Sequence, residues 1–273
     1  MELSCLPVSL FPIFLSGEFS IAQWARLGAE LGLDAIDISI LFLKSREKSH
    51  LQDIAASIRN SRVRLALVNT YPDLTHPDPG QRATQEEKLL ADIDAAAQLG
   101  AAMVRITAGQ AHPGLARNQA VKWVLDSFRR VAGRAEKLGV KLVYENHSKP
   151  GVWQYPDFSH PADIFLEIVE GISDTAIGIL YDTANAIARG DDPLWLLEQV
   201  RNRVTCIHAA DTGTSGELEP VLAGTGVVPF REIFRSLREA GFDGLISIEE
   251  ASQQGKAGLQ RAIQFVRKTW FES

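Results

Sequence analysis

Short apolar runs alternate along the chain with longer stretches whose apolar residues recur at helical spacing, and the pair repeats eight times. The short runs cover residues 3–8, 35–39, 63–69, 103–107, 140–145, 177–182, 204–208 and 245–249, and their length predicts strands. The amphipathic stretches 21–31, 51–59, 86–99, 121–138, 162–169, 194–200, 229–240 and 257–269 predict helices. Four of these are followed by a glycine: Gly32, Gly100, Gly139 and Gly241. Glycine most readily takes the left-handed turn that stops a helix. The recurring order of strand, helix and glycine predicts parallel strands joined by right-handed crossovers. Eight such units in 273 residues, with no linker or low-complexity break, predict an α/β fold closed as a single (β/α)8 TIM barrel over 1–273. An open doubly wound sheet is the alternative.

Strand parity gives a second reading, because successive side chains point to opposite faces. One parity presents Ile36 and Ile38, Val104 and Ile106, Leu142 and Tyr144, Ile179 and Tyr181, and Ile246 and Ile248. These bulky residues suit a face covered by helices. The other parity presents Asp37, Asn69, Arg105, Glu145, Asp182, His208 and Glu249 near strand ends. A barrel packed below and polar at its C-terminal mouth divides its strands in this way.

Composition narrows the class. Hydrophobic residues make up 45% and charged residues 23%, as in an ordinary globular protein. The formal net charge of −6 speaks against a nucleic-acid partner held by bulk electrostatics. No apolar run is long enough for a membrane span. The apolar start lacks a basic segment, carries Glu2 and is broken by Pro7 and Pro12, so it reads as structure and not as a leader. Two cysteines, Cys5 and Cys206, are too few for a disulfide scaffold or a thiolate zinc cage, and they fit a reducing cytoplasm as buried thiols.

Four strand endings carry candidate chemistry: Val143-Tyr144-Glu145, Leu180-Tyr181-Asp182, Cys206-Ile207-His208 and Ser247-Ile248-Glu249. They close strands five to eight, which are neighbours in a barrel, so their last side chains converge. Three carboxylates in one lumen repel unless neutralised. One divalent cation held by Glu145, Asp182, His208 and Glu249 answers that repulsion. The oxygen-rich set puts Mn²⁺ first, with Mg²⁺, Co²⁺ and Zn²⁺ as alternatives.

With these four residues in place, the chain resembles the xylose isomerase-like barrels, whose metal ligands stand at the ends of strands five to eight. Its best local matches are Tyr144-Glu145-Asn146-His147, Tyr181-Asp182-Thr183-Ala184-Asn185 and Gly224-Thr225-Gly226, followed by the 230–240 helix and Gly244-Leu245-Ile246-Ser247-Ile248-Glu249. The resemblance covers essentially the whole chain. It implies sugar isomerase or ketose 3-epimerase activity, or the related inosose and 3-dehydroshikimate dehydratases or endonuclease IV. In the epimerases it resembles, both glutamates are ligands and acid–base groups at once. Glu145 and Glu249 lie on non-adjacent strands, so one can take a proton next to a polarised carbonyl and the other return it.

Other residues of the mouth are candidates for substrate contact. His147 shares the parity of Glu145 and can bond a hydroxyl or act as an acid, with an ordinary histidine pKa near neutrality. Arg105 is a cation on the inward parity and must meet a ligand or an acidic neighbour. Asn69 and Asn185 can bond hydroxyls, and Asp211 can support the ligands. Trp153 and Tyr155 can stack on a sugar face or pack within their loop. Asp37 lines the mouth or ends its strand. His50, His76, His112 and His160 have no ligand spacing. Gly224 and Gly226 read mainly as turn punctuation.

Departures from the family pattern narrow the choice. Ketose 3-epimerases usually have histidine where this chain has Asn185, and an arginine soon after the strand-seven histidine. Residues 209–230 contain no Lys or Arg, which removes one grip on a phosphate. Endonuclease IV needs more histidines than the strand ends supply. The expectation is therefore a cytoplasmic, metal-dependent isomerase or epimerase of a small sugar, keto-sugar or sugar acid, compatible with a homo-oligomer. A dehydratase of a cyclic keto-polyol shares its first step. A non-catalytic metal-binding sugar-binding or partner subunit is the third reading.

Overall fold

Eight strands lie parallel in one sheet in the computed structural model, which describes residues 1–149 and 151–273. They are β1 (Glu2–Leu6), β2 (Ala35–Ser39), β3 (Arg64–Asn69), β4 (Met103–Ile106), β5 (Lys141–Glu145), β6 (Gly178–Asp182), β7 (Val204–Ala209) and β8 (Leu245–Glu249). Each pairs with its sequence neighbour from β2 to β8, and β8 returns to β1. The ring closes where the Asp34 N–H donates to the Leu3 carbonyl at 3.0 Å and the Leu3 N–H to the Asp34 carboxylate at 3.0 Å. The fold is the (β/α)8 barrel, and the open sheet is set aside.

Among the described residues, eight helices follow the strands: α1 (Ile21–Glu30), α2 (Lys48–Asn60), α3 (Pro79–Leu99), α4 (Arg117–Leu138), α5 (Ala162–Gly171), α6 (Pro193–Val200), α7 (Phe230–Glu239) and α8 (Gly255–Glu272). Two short helices, Phe11–Ser16 and Asn185–Ala188, are added in the loops at the mouth. Local chemistry sets the ends. In α1, Ser20 accepts from the Gln23 N–H while Gln23 accepts from the Ser20 N–H, which satisfies two orphan donors reciprocally. Gly100 and Gly139 take φ of +80° and +69° and end α3 and α4.

The two parities pack as two cores. Ile36, Ile38, Val104, Ile106, Leu142, Tyr144, Ile179, Tyr181, Ile246 and Ile248 are buried against the helices. Inside the ring, Ala35, Leu67, Met103, Val143, Leu180, Cys206 and Leu245 form a separate apolar plug. Both cysteines are buried and free, Cys206 in the plug and Cys5 on the helix side. Two register shifts, at Ile36/Asp37 and Ile179/Leu180, adjust the strands around the ring. The plug fills the lower lumen, so polar residues one step further along each strand can meet only above it. Among the described residues, no helix is long and apolar enough to cross a membrane.

Candidate metal centre and active site

Register places the four ligand candidates. Asp182 pairs directly with His208 across β6 and β7, and Ser247, two residues before Glu249, is the β8 partner of His208. Glu145 pairs with Leu180 and so projects into the same layer from β5. His208 Nδ1 lies 2.6 Å from Glu145 Oε1 and 3.2 Å from Glu249 Oε2. One ligand atom from each of Glu145, Asp182, His208 and Glu249 falls within 4.8 Å of all the others. Glu145, Asp182 and His208 are buried, whereas the Glu249 side chain is 31% exposed and faces the opening.

Backbone donors fix the Asp182 end. Its Oδ1 accepts from the Ala184 and Asn185 N–H groups at 2.8 and 2.7 Å, leaving Oδ2 for a cation. Asn146 clamps the Asp182 peptide from both sides, accepting from its N–H at 2.7 Å and donating to its carbonyl at 3.0 Å. Arg105 reaches Glu145 Oε2 with Nη1 at 3.4 Å, donates Nε–H to Asn69 Oδ1 at 3.2 Å, and lies over the Tyr71 ring at 4.7 Å.

The electrostatics are those of an anionic cluster with too few cations. Burial would raise Glu145, but Arg105, His208 and His147 outweigh it and hold the carboxyl well below its usual range. Burial and the neighbouring Glu249 and Glu145 push Asp182 well up. Glu249, at the rim, is raised by partial loss of water and by the neighbouring Glu145. Burial would lower His208, yet Glu145, Glu249 and Asp182 lift it to about 9. The donor set is therefore three carboxylates and one imidazole drawn toward positive charge. That set fits a hard divalent ion, and the buried Glu145 Oε2, which faces Arg105 at 3.4 Å but accepts no hydrogen bond, is a ligand atom still unsaturated.

A cavity of about 440 Å³ opens above this cluster. Arg105, His147, Asp182, Asn185, Asp211 and Glu249 line it. His147 Nε2 is 3.9 Å from Glu145 Oε2, and the ring packs edge-on to Trp153 at 6.2 Å between centroids. Burial pushes His147 down to about 3, so the near-neutral titration expected from sequence does not hold, and the imidazole is a neutral donor–acceptor. Asn185 accepts from Ser148 Oγ at 2.6 Å. Three expected substrate contacts are occupied differently. Asn69 spends its oxygen on Arg105 and its amide N–H on the Ile38 carbonyl at 3.3 Å. Trp153 is buried behind His147 and does not line the cavity. The Asp211 carboxylate accepts from the backbone N–H groups of Thr212, Gly224, Gly226 and Val228. It is a loop anchor whose edge meets the cavity. Tyr155 packs on His112 at 5.5 Å. Asp37 lies in the lumen, where the Ser4 and Ser247 hydroxyls donate to it.

Asn146, Ser148 and Tyr71 were not singled out from sequence. Asn146 carried a signal: it is a polar residue on the helix-facing parity inside the Tyr144-Glu145-Asn146-His147 run, where only a hydrogen-bonding duty explains it.

Comparison with known proteins agrees with this architecture. The family model described as "Xylose isomerase-like TIM barrel" matches residues 25–269. A putative hydroxypyruvate isomerase from Streptomyces coelicolor is 25% identical over 246 residues, 85% of this chain and 86% of that protein. An inosose dehydratase from Lacticaseibacillus casei is 23% identical over 146 residues, 48% of this chain and 47% of that protein, so the chain spans about half of that relative. The crystal structure of the IOLI protein with a bound zinc atom superposes with a TM-score of 0.78 at 20% identity, covering 100% of this chain and 97% of that one. On the family match and the shared barrel, this chain belongs to the xylose isomerase-like TIM barrel family.

Proposed function

We propose that the protein is a divalent-metal-dependent isomerase or epimerase of a small sugar, keto-sugar or sugar acid, working by proton transfer next to a carbonyl. The observation that carries this reading is the placement of Glu145 and Glu249 on either side of Asp182 and His208, in one layer beneath one cavity. Glu145, Asp182, His208 and Glu249 would hold the ion, with Mn²⁺ the first choice for so oxygen-rich a set. When bound, the ion polarises the substrate carbonyl and stabilises the enediolate charge. Glu249, facing the opening, and Glu145, beside Arg105, then act from opposite sides: one takes the proton and the other returns it. His147 and Asn185 offer hydrogen bonds to hydroxyls, and Arg105 keeps Glu145 ionised. The hydroxypyruvate isomerase relative supports the reading. The two buried free cysteines accord with a reducing, cytoplasmic setting.

The inosose dehydratase relatives support a second reading, a lyase that shares the proton loss and then expels a β-hydroxyl. One experiment addresses both. Metal-loaded protein is incubated in D₂O with a panel of keto-sugars and cyclic keto-polyols. Isomerisation or epimerisation is expected, with deuterium entering the product at the carbon next to the carbonyl. Glu145→Gln and Glu249→Gln are each expected to lose roughly a hundredfold or more in kcat, the usual scale for a general acid–base group, with metal content measured alongside. Loss of water from a cyclic substrate would replace the first reading with the second. Metal binding with neither exchange nor turnover would point to the non-catalytic subunit.

A further inference from the structure

The cavity above the metal cluster has two chemistries. Its floor is polar, with Arg105, His147, Asp182, Asn185 and Glu249. Its collar is apolar. Val8, Phe11 and Leu15 come from the connection after β1, Leu41 from that after β2, Val152 from that after β5 and Leu218 from that after β7. Leu15, Leu41, Val152 and Leu218 are 39–58% exposed, and they are half of the eight large hydrophobic side chains exposed among the described residues. Scattered exposed apolar side chains need no explanation, but four gathered from separate loops around one mouth form a patch of the kind that receives a ligand.

Cations are scarce in the same cavity. Arg105 and Lys149 are its only Lys or Arg residues among the described ones, and Arg105 is already engaged by Glu145 and Asn69. A phosphate at the outer end of a substrate would have, among the described residues, Lys149 alone to meet it, beside aliphatic side chains. A fully hydroxylated tail would lose water there and gain few partners.

Building on the isomerase reading, we infer that the natural substrate has two unlike ends. One is a hydroxy-carbonyl head for the polar floor. The other is an uncharged alkyl or aryl substituent that fills the collar formed by Leu15, Leu41, Val152 and Leu218. Continuity of collar and floor in a single cavity of about 440 Å³ assigns the patch to the substrate and not to a second copy of the chain.

Two hydroxamic acids with one chelating head and different tails test this by binding alone. Calorimetry on Mn²⁺-loaded protein is expected to give hexanohydroxamic acid a Kd roughly tenfold or more below that of acetohydroxamic acid, since each buried methylene is worth about fourfold. In Leu41→Asp and in Leu218→Asp, on two different loops, the ratio is expected to fall to within about twofold of unity, because a charge in the collar removes the apolar contact. Equal Kd values in the wild type, or a preference that survives both changes, would overturn the proposal and leave the isomerase reading standing. If acetohydroxamic acid fails to bind the metal-loaded protein, the head-group assignment falls and this inference falls with it. Sedimentation of the same samples adds one more arm: a wild-type dimer that Leu218→Asp dissociates would give the collar to a second copy and overturn the substrate assignment.

Discussion

Among the described residues, Arg105 is the one cation that touches a candidate catalytic carboxylate from outside the ligand set, and Asn69 is what aims it. Asn69 sits between the Ile38 carbonyl and the Arg105 Nε–H, both in the dry interior. Removing the amide leaves a buried guanidinium N–H without its acceptor, a cost of about 1–3 kcal/mol, and frees the side chain to leave Glu145. Asn69→Ala is therefore expected to lower kcat by roughly tenfold, with KM changed much less and metal content retained. A fall in affinity with kcat intact would make Asn69 a substrate contact. The contrast between Asn69 and the glutamates explains what a sequence can disclose at this scale. An acid or imidazole at an inward position near a strand end has no packing role, so Glu145, Asp182, His208 and Glu249 stand out by residue type and parity together with their place on four consecutive strands, whereas Asp37 shares type and parity and is bonded by Ser4 and Ser247. The duties of Asn69 and Asn146 depend on groups 36 residues away, Arg105 and the Asp182 peptide. Nothing in their local pattern names those partners.

At the scale of elements, strand positions were readable because apolar runs cannot be solvated, and helix starts were less so. Helix α3 begins at Pro79, before the expected residue 86, because Asp78 caps the Gln81 N–H at 2.8 Å and Pro79 suits the first turn. The exposed first turns carry no apolar repeat, and α4 likewise starts at Arg117 before its periodicity is visible at 121. Loop geometry was least legible. Gly226 had read as punctuation, yet a Cβ there would lie 2.2 Å from the Thr212 carbonyl oxygen and 2.4 Å from Asp211 Oδ1, so the loop needs glycine to wrap the Asp211 carboxylate. The connection after β5, which carries His147, is pinned in a comparable way. Asp157 donates its N–H to the Ser148 carbonyl and accepts from the Ser159 N–H and Oγ–H, while its Oδ2 has no partner. Burial raises Asp157 from 3.8 to about 7. The folded chain thus keeps a proton that the unfolded chain releases. The stability this contributes is complete below about pH 4 and is lost as pH rises through 7, by an amount on the order of 1–4 kcal/mol. Asp157→Asn keeps the acceptor and cannot ionise. Its melting temperature is expected to fall by several degrees less than that of the wild type between pH 5 and pH 8. Parallel pH curves for the two proteins would show that Asp157 is solvated in both states.

For the molecule as a whole, the cluster joins four consecutive strands, β5 to β8, which make up half of the ring. Three carboxylates converge there above an apolar plug, and the nearby protein cations are Arg105 and protonated His208. Asp182 and Glu249 are pushed up and His208 is lifted to about 9, so the cluster takes up protons against its own crowded negative charge, and a divalent ion would take their place. Because the site exists only when the four strands are aligned, ion binding adds its free energy to folding: about 2.7 kcal/mol at a free ion concentration one hundred times Kd. In a chain of this size that corresponds to a rise in melting temperature of roughly 5–10 °C, at about 2–4 °C per kcal/mol. Chelator-treated wild type is therefore expected to melt at a lower temperature than protein with excess Mn²⁺, and readdition should restore the difference. Asp182→Asn and His208→Ala, each lacking one ligand, are expected to show little or no response to either treatment. A wild-type melting curve indifferent to both chelator and Mn²⁺, with no ion found by elemental analysis, would mean that the cluster is held by protons alone and that the assignment of a resident metal is wrong.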